Sequence, residues 1–213
     1  MHPFFAMEHE SMYLLYHFEF SQHARRVVSL LLEANLDFEL RDVAMGAGAH
    51  RSPEYLLINP NHQVPTLIDG DIKIHESNAI LRYLCTKHGL TEWYPTELRE
   101  RAAVEQWLDW NQCRLSPAVV DIVLNAVFLG AAGDRAAIER GRSRLQELEP
   151  IIEAALIVQP YLAGRRPTIA DLSLASSVFQ LTLANVTLVG SKTREWFERV
   201  QRIDGFRRSL PNA

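Results

Sequence analysis

The sequence has only two cysteines, Cys85 and Cys113, among 213 residues. Two thiols cannot build a disulfide framework or a four-ligand zinc site. Both fall in apolar helical patterns, so both are expected as buried free thiols, which fits a reducing compartment. No apolar run approaches the roughly 20 residues needed to span a bilayer. The opening stretch MHPFFAMEHE carries acids where a signal peptide carries a basic region. A cytoplasmic protein that does not engage membranes is expected. Lys and Arg number 22 against 26 acids, a net charge of −4. The broad positive field of non-specific nucleic-acid binding is therefore missing, and no nucleic-acid partner is expected. The eight histidines show no metal-ligand spacing such as His-Glu-x-x-His, so no metal is expected. What remains is an ordinary globular composition, 47% hydrophobic and 23% charged. The length allows a sizeable core, in one large domain or two small ones.

The first third alternates strand and helix signals. Residues 12–18 (MYLLYHF) are short, apolar and aromatic, as a buried strand is. Ser21 then precedes a helical stretch with Val27, Val28, Leu31 and Leu32 on one face. Residues 37–43 alternate apolar and polar, as a strand does, and Ser52-Pro53 opens a short helix. Residues 64–68 and 72–75 flank Asp69-Gly70-Asp71, a strong hairpin signal. Helical spacing returns over 76–88. The order is β-α-β-α-β-β-α, with the first two strands parallel and the last two antiparallel.

Residues 89–96 (GLTEWYPT) read as a linker. Beyond them the pattern is helical: 97–129 with a kink or break near Ser116-Pro117, a helix from Asp134 towards Val158, then 168–183 and 193–203. Thr168 and Asp171 have capping-box spacing. The fold class is α/β plus all-α, divided into an extension (1–11), an α/β domain (12–88), the linker (89–96) and a helical domain (97–213).

Three places could carry chemistry. A proline directly before a hairpin strand, as in Val64-Pro65, is awkward because it removes a backbone donor. A cis bond is one solution, and it would turn the Val64 main chain towards an extended, peptide-like ligand. Glu76-Ser77-Asn78 opens a helix directly after a strand. Free N–H groups there could grip a ligand carboxylate, with Glu76 pairing an ammonium, or the residues could simply cap an ordinary helix. Ser21 reads as an N-cap, or as a hydroxyl donating to an anion at the same helix end. On the helical side Trp107, Trp110 and Arg114 share a face; the tryptophans read as core or interface aromatics, or as substrate contacts. Asn111 and Arg114 are candidates to face a cleft.

Together, residues 20–36 (FSQHARRVVSLLLEANL), 50–67 (HRSPEYLLINPNHQVPTL) and 75–84 (HESNAILRYL) resemble the glutathione-binding domain of cytosolic glutathione transferases. Trp107-Leu-Asp-Trp110 followed by Ser116-Pro117 resembles bacterial members, of theta- or delta-like serine type, and Thr168-Ile-Ala-Asp171 resembles the family's core helix. The resemblance implies a thioredoxin-like domain followed by a helical bundle, in a homodimer. It implies glutathione as co-substrate and a small hydrophobic electrophile as partner. The cis pair Val64-Pro65 would hold the cysteinyl part of glutathione by main-chain bonds, Glu76 and Ser77 the γ-glutamyl end, and Gln63 is a further glutathione-binding position. His50 and His62 match positions near the glycine end or the sulfur. Ser21 would donate to the thiolate, and Trp110, Asn111 and Arg114 would face the electrophile. Where serine-type members often show Ser-x-Pro-Cys-Arg, this chain has Ser21-Gln22-His23-Ala24-Arg25. Ala24 at the cysteine position excludes a mixed-disulfide mechanism there. The implied activity is conjugation; glutathione-dependent isomerisation, dehalogenation or peroxidation would use the same site. The chain also resembles stringent starvation protein A, a transferase-fold protein that binds RNA polymerase.

Overall fold

Apolar alternation organises the first half. The computed structural model describes residues 12–211. The expected extension over 1–11 therefore lies outside the described residues, apart from its boundary. Strand β1 (Tyr13–His17) buries Tyr13 and Leu15, while Leu14, Tyr16 and His17 are only partly covered. Helix α1 (Gln22–Glu33) crosses to β2 (Phe38–Asp42), which pairs parallel to β1. A short helix α2 (Pro53–Leu56) starts at Ser52, whose Oγ accepts from the Tyr55 N–H at 3.2 Å. Strands β3 (Thr66–Asp69) and β4 (Ile72–His75) form the expected hairpin, turning on Gly70 at φ 58°. The sheet order is β2-β1-β3-β4, with β3 antiparallel to β1. Helix α3 (Ser77–Lys87) completes a β-α-β-α-β-β-α thioredoxin-like domain, as expected.

The second half is an all-helical bundle: α4 (Leu98–Trp110), α5 (Ser116–Val123), α6 (Arg135–Val158), α7 (Ile169–Thr182), α8 (Ser191–Gln201) and α9 (Asp204–Arg208). The irregularity expected near Ser116-Pro117, a kink or a break, takes the form of a π-helical turn. The chain passes from α4 into α5 through a π-helical turn, Asn111–Leu115, and Pro117 sits in the first turn of α5. A proline inside an α-helix clashes with the carbonyl four residues earlier; the wider turn before it takes up that mismatch. The same turn corrects the expectation for Cys113, which is exposed, whereas Cys85 is buried. One extra residue in a turn rotates its neighbours by about 100° relative to regular α spacing. Helix α9, with five residues, left no periodic signal.

One apolar core runs through both halves. It joins Leu15, Leu30, Leu67 and Ile80 to Leu108, Val119, Ile152 and Trp196. Helix α7 is its axis. Thr168 and Asp171 make the predicted capping box, and Asp171 also accepts from the Leu162 N–H and the Trp196 Nε1–H. No helix of the described residues is long and apolar enough to cross a membrane.

Candidate active site

The loop before β3 is braced from beneath. Tyr55 Oη donates to the Gln63 carbonyl at 2.6 Å, and Asn59 Nδ2 donates to the same carbonyl at 2.9 Å and to Thr66 Oγ1 at 3.0 Å. These bonds fix the loop on both sides of Val64-Pro65, whose peptide is cis. The N–H and C=O of Val64 make no hydrogen bond within the described residues. Both residues line a cavity of about 210 Å³ together with His23, Asn59, Gln63, Glu76, Ser77 and Gln112. The structure thus brings Gln63, Val64, Pro65, Glu76 and Ser77 to one place.

The far wall is the start of α3. Glu76 precedes it at φ 68°, a left-handed value that non-glycine residues seldom adopt, and provides no side-chain cap. The first-turn N–H groups of α3 are therefore unsatisfied by side chains at a site with a positive dipole end. Ser77 is buried beside them, and the Glu76 carboxylate is exposed. The second residue of α1, His23, brings another helix N-terminus to the cavity. Burial, with the Arg26 charge adding to it, pushes the His23 imidazole down to about 3, so it is neutral at physiological pH.

A polar network backs this wall. Arg26, fully buried, donates through Nη1 to Asn78 Oδ1 at 3.1 Å and to Gln112 Oε1 at 3.4 Å. Asn78 Oδ1 also accepts from Ser173 Oγ at 2.9 Å, and its Nδ2 donates to the Leu108 carbonyl at 3.0 Å. The residues after Glu76 and Ser77 are thereby tied to α1, α4 and α7.

The other sequence candidates lie outside the cavity wall. His62 is exposed at φ 47°. His50 is half-buried in a short 3₁₀ turn, with its protonation disfavoured by burial and by Arg51 and His62. Asn111 is buried, donating from Nδ2 to the Ser173 carbonyl and Oγ; Trp110 is half-buried against Trp107, with ring centroids 5.2 Å apart; Arg114 is exposed. His23, Asn59 and Gln112 were not singled out in the sequence. Gln112 lies in the π turn, where face assignments made at 3.6 residues per turn slip by a position. Among the described residues, no group of three or more His, Cys, Asp and Glu is placed to hold a metal ion.

Residues 11–86 match the family model for the glutathione S-transferase N-terminal domain. Glutathione S-transferase F10 of Arabidopsis thaliana is 37% identical over 155 residues, 70% of this chain and 72% of that protein. The chain belongs to the glutathione transferase family. It is accordingly an enzyme by family. Among solved structures, the theta-class glutathione S-transferase of Xanthomonas axonopodis pv. citri, with glutathione bound, superposes with a TM-score of 0.88 at 28% identity, over 94% of this chain and 98% of that one. A poplar glutathione transferase F1 carrying a serine-to-cysteine change at its own residue 13 superposes with a TM-score of 0.84 at 25% identity, over 93% and 96%.

These findings correct two expectations. The serine-type assignment, with Ser21 donating to the thiol, is not upheld. Ser21 is the N-cap of α1, its Oγ accepting from the Ala24 N–H at 3.2 Å, and it is not among the residues lining the cavity. A specifically bacterial assignment has no support either, since transferases matched at comparable identity come from Anopheles gambiae, Zea mays and Homo sapiens.

Proposed function

We propose that this transferase binds glutathione in the cavity between the Val64-Pro65 loop and the start of α3, and joins its sulfur to a small apolar electrophile. The observation that carries the reading is the convergence of an unpaired extended main chain at Val64 with the side-chain-uncapped N-terminus of α3. Val64 pairs with the peptide-like cysteinyl backbone. Ser77 and the first N–H groups of α3 hold the γ-glutamyl carboxylate, and Glu76 pairs with the adjacent ammonium. A free thiol, with a pKa of about 8.5, is mostly protonated at neutral pH. The α1 N-terminus, reaching the cavity through His23, favours the thiolate there.

Attack forms a sulfur–carbon bond; in a substitution the leaving group departs with the electrons of the bond that breaks, and in an addition the displaced electron pair stays on the electrophile and takes a proton from water. An apolar electrophile fits the aromatic cluster beside the start of α1. Phe18 lies with its ring centroid 5.7 Å from Phe20 and 6.1 Å from Phe128, and Leu124, Val127 and Leu129, close to Phe128 in the sequence, leave apolar surface exposed. Two free cysteines fit a reducing, cytoplasmic setting. Homodimerisation is part of the proposal, and sedimentation as a stable monomer at micromolar protein removes it.

Calorimetric titration with reduced glutathione tests the site. One molecule is expected per chain, with Glu76→Gln and Ser77→Ala each weakening binding about tenfold, the loss of one charge-assisted bond. Unchanged affinity in both variants refutes this placement of the γ-glutamyl end.

A further inference from the structure

His23 has a property that its place on the cavity wall does not require. Its Nε2 lies 3.5 Å from Ser116 Oγ, and Ser116, buried at the start of α5, accepts a hydrogen bond from Gln22 Nε2 at 3.2 Å. An amide nitrogen only donates, so the Ser116 oxygen is the acceptor in that bond. Its single hydroxyl proton is then available to His23 Nε2. With Ser116 as the donor, Nε2 carries no proton and the proton of the neutral imidazole lies on Nδ1; the opposite direction would use the second lone pair of Ser116 Oγ, and the tautomer with Nδ1–H is the one the inference takes. Nδ1 makes no hydrogen bond to any described residue, and it is not among the buried polar atoms left without a partner. It therefore retains access to solvent, on a residue that lines the cavity.

We infer that His23 is a further catalytic residue, whose Nδ1–H donates a hydrogen bond to the sulfur of bound glutathione, with Ser116 and Gln22 as positioning residues that hold the ring in the donating tautomer. This rests on the proposed binding of glutathione along Val64. The charged neighbours of the ring make the role specific. Arg26, packed behind it from α1, disfavours imidazolium, and the Glu76 carboxylate across the cavity is exposed. The ring thus stays neutral across the working pH range. It is not a base that removes the thiol proton. That proton leaves to water, the imidazole keeps its own, and the N–H offers a fixed dipole to the sulfur anion left behind. The arrangement crosses the domain boundary: the donor lies on α1 and the residue orienting it on α5.

Two measurements on the full-length protein test this: calorimetric affinity for reduced glutathione, and the apparent pKa of the bound thiol from the ultraviolet absorbance of the thiolate. His23→Phe keeps a ring without an N–H, and its bound thiol is expected to titrate about one unit higher, a tenfold fall in the thiolate-to-thiol ratio. Affinity should change by less than about threefold, because the glutathione backbone is held elsewhere. His23→Gln keeps an N–H donor and should recover part of the shift. Ser116→Ala, which frees the tautomer, should fall between wild type and His23→Phe; it also keeps the test open if the phenylalanine variant fails to fold. A bound thiol that titrates at the wild-type value in both His23→Phe and Ser116→Ala overturns the role of His23 while leaving the glutathione site standing. Wild-type protein that binds no glutathione overturns the site itself, and this inference with it.

Discussion

Truncating Asn78 to alanine should cost about 4 kcal/mol of folding stability, because that side chain is the hinge-pin between four helices. Three bonds are lost. Arg26 Nη1 loses the shorter of its two acceptors and keeps Gln112 Oε1 at 3.4 Å. A hydrogen bond to a charged group contributes about 1.5–3 kcal/mol. Ser173 Oγ loses its acceptor but still accepts from Asn111 Nδ2, and the Leu108 carbonyl keeps a backbone donor at the end of α4. Each of these partial losses is about 0.5–1 kcal/mol. The total, about 2.5–5 kcal/mol, overlaps the cost of stripping a partner from a buried charge. It is a large share of the 5–15 kcal/mol that keeps a typical domain folded. The assay is urea unfolding followed by fluorescence of the four tryptophans, comparing midpoints at constant slope. A second variant isolates the shared bond. Asn78→Ala combined with Ser173→Ala should cost at least about 0.5 kcal/mol less than the two single losses added. A loss under about 1 kcal/mol for Asn78→Ala would refute the reasoning, since the network would then carry little energy.

Gly205→Ala would place its methyl 2.3 Å from the Ser29 carbonyl oxygen on α1, a backbone atom that cannot turn aside. Separating α9 from α1 should cost about 1–3 kcal/mol, seen as a fall of roughly 2–12 °C in melting temperature; an unchanged melting temperature contradicts the packing. A disulfide thiol reagent at pH 8 should label one thiol rapidly in native protein, at exposed Cys113. Cys85, pushed up to about 12 by burial, should react only on unfolding; two fast thiols before unfolding would contradict its burial.

Much of the architecture could be read from local pattern because local physics made it. The hairpin follows from Asp69-Gly70, α2 from Ser52-Pro53, and the start of α7 from Thr168 and Asp171, where one or two residues fix the backbone. The face of the helix after Trp110 could not be read that way. The π turn at Asn111–Leu115 changes the period on which the reading depends, and it affects Gln112 and Cys113 together. Ser21 shows a different limit. A serine before a helix has the same local sequence whether it caps the helix or serves a ligand, and here its oxygen caps α1. His23 gave no signal at all, since its partner Ser116 lies 93 residues away.

The single core shared by the two halves bears on how the protein can change. Residues from α1 and α3 complete the apolar interior of α7, and the Ile169 N–H is bonded back to the Trp93 carbonyl in the connecting segment. A cut near the connection would therefore not release two ready-made modules. The first half alone would carry α1 and α3 with their contact to α7 stripped, an adhesive surface in water. A chimaera joining this first half to the second half of a distant relative would need mutually fitted surfaces at α1, α3 and α7. What the chain inherits as a unit is the joint between the halves, and a change of specificity can arise more readily by altering single residues of the cavity wall than by exchanging either half.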